Sequence, residues 1–258
     1  MAARVGRLAG EQPVYRLRFA AAYAALALVA AASLAGAYLL ADDPARTSAA
    51  SFSAWAPGGA DIGTYPEQIA QHVAPRYTLP GGRRLTSILA GPPVIQEIPL
   101  RTIDVQLASG VEETVPVEAT VMYTLCGSGG GCAIGEGEAS AERHLLVRRA
   151  VLELALYSFR HMEPVEAVVA LLPPPREDAR SSAVLLRRAD VAALLDRPLA
   201  ETLSPTVPAP EELAGSPEGR TVDELTRSRT FDWEVQQLQD GSVAMRLKPI
   251  AARLTVVA

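Results

Sequence analysis

Asparagine is missing from all 258 residues, and Lys248 is the sole lysine among 24 basic side chains. Without asparagine no N-x-[ST] acceptor exists, so the fold was not built to be solubilised by N-linked glycans. A single lysine leaves a Ser-Lys catalytic pair with one candidate base, and no serine stands before Lys248 at the spacing that such enzymes use. Arginine in place of lysine, together with the missing asparagine, is the residue usage of GC-rich codons and points to a high-GC bacterium. Histidine is scarce, and His72, His144 and His161 stand apart, with no HExxH pattern for zinc. No serine lies in the GxSxG context of a nucleophile elbow.

Charge is missing from one stretch altogether. Phe19 to Ala41 holds only Ala, Leu, Val, Gly, Ser, Tyr and Phe. At about 1.5 Å of helical rise per residue this length spans the roughly 30 Å apolar slab of a bilayer. Arg4, Arg7, Arg16 and Arg18 precede it, while Asp42 and Asp43 follow it. The positive-inside bias therefore predicts a single transmembrane helix with its amino terminus in the cytoplasm and everything from Asp42 onward outside. The alternative is a secreted domain released by cleavage near Ala35-Gly36-Ala37, but the apolar run exceeds the roughly 7–15 residues of a signal h-region. Formal net charge is −5 and the leading tail is basic, so the exported part is more acidic than the whole. That excludes nucleic acid and disfavours anionic headgroups as partners.

Cysteine occurs only as Cys126 and Cys132, around Gly127-Ser128-Gly129-Gly130-Gly131. Outside the cytoplasm two close cysteines pair, and glycine supplies the positive φ that so small a ring demands. The spacing predicts a structural disulfide; a thioredoxin-type pair would have two residues between its cysteines, and zinc would need further ligands. His144, the nearest histidine, is expected on a helix surface.

Past Asp42 the chain divides by pattern. Residues 42–75 are rich in Ala, Ser, Gly and Pro with scattered Phe52, Trp55 and Tyr65, and read as a stalk in which Thr64 to Val73 forms one short helix. Ile98 to Leu107 alternates, and after Ser109-Gly110 the odd positions Val115 to Leu125 alternate strictly, predicting an antiparallel hairpin. From Ser140 to Met162 the apolar residues Leu146, Val147, Ala150, Val151, Leu154, Ala155 and Phe159 share a broad helical face, opposite a narrow polar stripe of Arg149, Glu153 and Arg160. This is a long helix laid on a sheet, capped by Ser140 and stopped by Pro164, with His161 placed to meet its carboxyl-terminal dipole. Val165 to Leu172 is a doubly buried strand ended by Pro173-Pro174-Pro175, so strand, helix and strand suggest a crossover unit. Ala183 to Leu186 is a further strand and Ala189 to Leu195 a short helix. Residues 204–220, rich in Pro and Glu, read as a surface excursion too poor in apolar residues to offset ordering entropy. Residues 221–258 complete the domain with a helical turn and a hairpin, Phe231 to Leu247, turning at Asp240-Gly241.

The expected architecture is α+β: a basic tail over 1–18, a transmembrane helix over 19–41, the stalk, and a mixed-sheet domain over 76–203 with its excursion and closing hairpin. No catalytic, cofactor-binding or metal-ligating residue is assigned. The glycines around Cys126 and Cys132 lack a GxxxxGK[ST] pattern and read as a cross-linked connector. Glu112 with Glu113, and Glu136 with Glu138, read as solvated charge on turns. The pairs Arg83-Arg84, Arg148-Arg149 and Arg187-Arg188 read as solubilised sheet edges or helix faces.

Arg101 to Leu125, RTIDVQLASGVEETVPVEATVMYTL, resembles the early strands of the SPFH or band-7 domain of stomatins, prohibitins and the HflK–HflC pair. The upstream prolines, Gly81-Gly82 and the amino-terminal anchor are similar to that arrangement as well. The resemblance covers about a tenth of the chain and implies an anchored scaffold. The Cys126 to Cys132 loop departs from the family, and the long heptad helix that drives its ring assembly is missing where Pro205, Pro208 and Pro210 stand. These readings make the protein a non-catalytic, membrane-anchored binder or scaffold of an envelope partner, with the lipid bilayer engaged through Phe19 to Ala41. The alternative is an envelope hydrolase or ligand-binding sensor whose site is assembled from residues distant in sequence.

Overall fold

The apolar face of the long helix has to be buried, and the chain does so by wrapping it on every side. A computed structural model describes residues 52–250 apart from 96, 97, 108, 136 and 178. The expected tail, the segment Phe19 to Ala41 and the first part of the stalk lie outside the described residues. Among the described residues no helix is long and apolar enough to cross a membrane.

Among the described residues five α-helices carry the helical layer: α1 (Tyr65–Val73), α2 (Ala141–His161), α3 (Arg188–Leu195), α4 (Pro210–Gly215) and α5 (Pro217–Thr226). The start of α2 follows its sequence, since Ser140 is extended and its Oγ accepts the Arg143 N–H at 3.1 Å, with Glu142 in the first turn. Its predicted stripe is not solvated. Leu154, Leu146 and Ala150 are fully buried as expected, but so are Arg149 and Glu153, because α1, α4 and α5 cover the outer face. The apolar excess predicted a one-sided helix; packing made it a central one.

The sheet has nine strands: β1 (Ser87–Gly91), β2 (Val94–Ile95), β3 (Ile98–Gln106), β4 (Glu112–Val115), β5 (Thr120–Cys126), β6 (Ala167–Leu171), β7 (Ser182–Arg187), β8 (Thr230–Gln237) and β9 (Val243–Pro249). Their order is β1-β5-β6-β7-β8-β9-β3-β2, with β4 paired to β3. β5 and β6 are parallel, Tyr123 facing Ala170, and α2 is the crossover between them, as the strand, helix and strand pattern predicted. A second parallel pair joins β3 to β9. The sheet curls into a nearly closed, barrel-like form. Met122 of β5 thereby shares one apolar cluster with Val105 of β3 and Met245 of β9. The opposite face packs on α2 through Val121, Tyr123, Val168 and Val184. Both faces of β6 are buried, which is why Ala167 to Leu171 shows no polar alternation.

Four expectations are corrected. The alternating run from Val115 to Leu125 is two strands, not one: a 3-10 turn over Val117–Ala119 follows Pro116, and β4 pairs with β3 while β5 pairs with β1 and β6. Proline offers no N–H to a ladder, so the strand breaks there. β5 is then buried on both faces rather than half-buried. Residues 204–220 are no excursion, because Pro210, Leu213 and Gly219 are buried where α4 and α5 pack on α2, and a Cβ on Gly219 would fall 2.0 Å from the Leu213 carbonyl oxygen. The described part of the stalk is tied to the domain at both ends, with Phe52 and α1 residues Ile69 and Val73 in the main core, while Gly58 to Thr64 between them are exposed. The β8–β9 hairpin is antiparallel as expected, but its turn uses three loop residues, with Gly241 at φ +83° and Asp240 outside the left-handed region. That is a type I turn closed by a left-handed glycine, the Gly241 N–H reaching the Leu238 carbonyl at 3.0 Å.

Candidate functional site

Glu153 and Arg149 are one helical turn apart on α2, an ordinary i,i+4 pair made unusual by full burial. A buried carboxylate must be satisfied, and Glu153 is. It accepts from Arg76 Nη1 at one oxygen, and from Tyr77 Oη at 2.7 Å and Arg149 Nη1 at 3.4 Å at the other. Arg149 in turn donates to Glu218 Oε1 at 2.6 Å, to Tyr77 Oη at 2.6 Å and to the Ser204 carbonyl at 2.8 Å. Burial, with Glu153 beside it, raises the Tyr77 pKa, so its phenol remains protonated and donates.

Two members of this network, Arg76 and Glu153, line a cleft of about 360 Å³. Phe52 to Trp55, His72 and Arg76, Glu153 and Tyr157, and Leu199, Ala200, Leu203 and Pro205 line it, four segments separate in sequence. The Trp55 indole stacks on the His72 imidazole at 4.0 Å, and both meet Tyr157 edge-on at 5.3 and 5.4 Å. Tyr157 Oη shares a 2.8 Å hydrogen bond with Ser53 Oγ and lies 3.4 Å from His72 Nε2. Burial and then the nearby Arg76 charge lower the His72 pKa, which keeps the imidazole neutral at pH 7. Arg76 also donates to the Pro205 carbonyl at 2.8 Å, and it keeps 26% of its side chain exposed against 1% for Glu153. Cation and aromatic walls can therefore meet a guest, while the carboxylate cannot.

The other singled-out residues do different work. Cys126 and Cys132 form the expected disulfide, with Gly131 at φ +60° and Cys132 itself at φ +63°. Their loop is packed rather than flexible: the Gly127 and Gly129 N–H groups bond the carbonyls of Cys132 and Ala133, each at 2.9 Å. A Cβ on Gly127 would fall 2.1 Å from the Ala133 oxygen. Amides used in this way are turned from any phosphate. Glu112 and Glu113 lie on β4 rather than on a turn, Glu113 bonding Arg187 at 2.5 Å; Glu138 is exposed, and Glu136 lies outside the described residues. His144 is exposed as expected, and among the described residues no group of three potential metal ligands occurs.

The arginine pairs form no common patch. Arg83 and Arg84 are exposed, but Arg148 is buried against Asp223 at 2.7 Å and Thr226 at 2.9 Å, so that pair is no solvated helix face. Arg188 closes the end of α2, donating to the carbonyls of Phe159, Met162 and Val165 at 2.6, 2.8 and 2.7 Å. It takes the role expected of His161, because a guanidinium with five donors matches several orphan carbonyls at once. His161 instead lies along Tyr157 at 6.1 Å, its pKa lowered by burial and by Arg160.

Sequence reasoning missed the cleft. Its only local signal was the set of aromatics Phe52, Trp55 and Tyr65 in a stretch without period, and a Glu153 placed four residues after Arg149 amid apolar neighbours. Comparison of the chain with protein-family models, with curated proteins and with solved structures yields no match.

Proposed function

We propose that this chain is a non-catalytic, single-pass membrane protein, anchored through Phe19 to Ala41, whose extracytoplasmic α+β domain binds or scaffolds another envelope protein. Support comes from β1. Among the described residues this strand pairs with β5 on one side only, and its sequence, Ser87-Ile88-Leu89-Ala90-Gly91, has neither the charge nor the proline that usually protects a sheet edge. Leu89 is 65% exposed on it. An edge of this kind accepts an extended segment of a partner as an added strand, the backbone supplying affinity and Leu89 an apolar contact. The anchor would hold the domain at the membrane, which fits the scaffold implied by the resemblance of Arg101 to Leu125 to band-7 strands.

The test is site-specific photo-crosslinking in the full chain, in its own membranes. A reactive residue at Ser87 should give a discrete product that Leu89→Lys abolishes, and the same residue at exposed Glu211 should give none. Equal products from both positions, or a product insensitive to Leu89→Lys, refutes the edge as the contact.

A second reading, the ligand-binding sensor, is favoured by the cleft between Trp55, Arg76 and Leu203. Its size lies within the roughly 300–1,000 Å³ range of small-molecule sites. Because Glu153 is engaged by three donors, the cleft is built to hold a guest rather than to move its protons.

A further inference from the structure

We propose that the cleft takes a small monocarboxylate carried on an aromatic or other apolar body, with Arg76 as the group that recognises the acid; this rests on the ligand-binding reading above. The walls select the body. Phe52, Trp55, Leu199, Leu203 and Pro205 leave an apolar slot. An apolar guest there gains roughly 25 cal/mol for each Å² it removes from water.

The charge inventory selects the head group. A cationic guest would need an open anion, and the one carboxylate among the described lining residues, Glu153, has both oxygens engaged and a side chain only 1% exposed. Among the described residues of the lining, Arg76 is the one permanent cation. Two of its five N–H groups bond Glu153 and the Pro205 carbonyl, which leaves three donors on the planar fork of a side chain that lines the cleft and is 26% exposed. A fork of that shape suits a carboxylate. Glu153 already offsets part of the Arg76 charge, so less than one unit is left for a guest: a monocarboxylate is the anion it suits, and a phosphate dianion would find no second cation among the described lining residues. Tyr157 Oη and Ser53 Oγ, which share one hydrogen bond, add hydroxyls on the wall across which the head group would enter.

Three probes with one body and three head groups separate the possibilities: phenylacetate, phenylacetamide and phenethylamine. Each is titrated calorimetrically into the full chain in lipid nanodiscs, and followed by fluorescence in a Trp233→Phe background, where Trp55 is the remaining tryptophan. Phenylacetate should bind saturably and about tenfold or more tighter than the amide, the margin of a charge-assisted over a neutral hydrogen bond. Phenethylamine should not compete. Arg76→Gln should bring acid and amide to equal affinity. Should that variant strand Glu153 and unfold, Leu203→Trp, which fills the slot from the opposite wall, should abolish phenylacetate binding in a folded protein. Equal binding of acid and amide by the unaltered chain, or preference for the amine, overturns the carboxylate assignment and leaves a ligand cleft. Absence of binding by all three up to about 10 mM overturns both.

Discussion

Replacing Glu153 tests the central claim that α2 is held by a buried ionic network. In the wild-type chain its carboxylate accepts from Arg76, Tyr77 and Arg149, and Arg149 is wholly buried. Glu153→Leu removes the shared acceptor: Arg149 keeps Glu218, the Tyr77 hydroxyl and one carbonyl, but Arg76 loses its carboxylate and the Tyr77 hydroxyl its acceptor in the core. Stranding one partner of a buried ion pair costs about 3–5 kcal/mol. Glu153→Gln keeps the shape and one acceptor oxygen but turns an amide N–H₂ toward existing donors, so its cost should be smaller, about 1–3 kcal/mol. Tyr77→Phe deletes a hydrogen bond to a charged group and should cost about 1.5–3 kcal/mol. Because Tyr77 and Glu153 touch, the double variant should cost less than the sum, with a coupling of about 0.5–3 kcal/mol. The assay is urea unfolding of the purified chain under non-reducing conditions, read as a shift in midpoint at constant slope. If Glu153→Leu lies within about 0.5 kcal/mol of wild type, the network does not hold the helix and the account of α2 is wrong.

Leu154→Ala should cost about 2–5 kcal/mol, since Leu154 is fully buried on α2, and a negligible change in urea midpoint would contradict its place in the core. Substituting both Cys126 and Cys132 with Ser should lower stability by about 2 kcal/mol without unfolding the domain, and mass mapping of envelope-derived protein should find the pair linked. His72 and His161 have folded-state pKa values lowered chiefly by burial, so the unfolded chain takes up protons first. Stability should therefore be level above about pH 6.5 and fall as pH drops below it through their folded values; a curve that rises on acidification would reverse that sign. A reporter active only outside the cytoplasm, fused after Ala258, should be active, and Leu28→Arg should impair insertion by about 2.5–3.5 kcal/mol; an inactive wild-type fusion would sink the proposed orientation.

What the sequence determined by itself is whatever a short window of residues can specify. Ser140, Glu142 and Pro164 bound α2, an unbroken apolar run marks β6, and Asp240-Gly241 between alternating strands marks the last hairpin. Two cysteines around a glycine-rich spacer are close because the chain between them is short, so their pairing was legible too. Each of these depends on periodicity, capping or chain length, which are local quantities. The tertiary structure decided the rest. Arg149 and Glu153 read as a polar stripe because an i,i+4 pair can stand in solvent as well as in a core; Tyr77, Arg76 and Glu218 lie 69 to 77 residues from their partners on α2, and only packing brings them there. The break at Pro116 was missed because the alternation runs on through it, and which strands β4 and β5 then joined was not legible either, since a pleat of period two records that a face is buried and not by what. In the same way Arg188, 27 residues after the end of α2, displaced His161 as its cap. The cleft belongs wholly to this second category, because a concavity shared by residues 52–55, 72–76, 153–157 and 199–205 exists only after the core that joins them has formed.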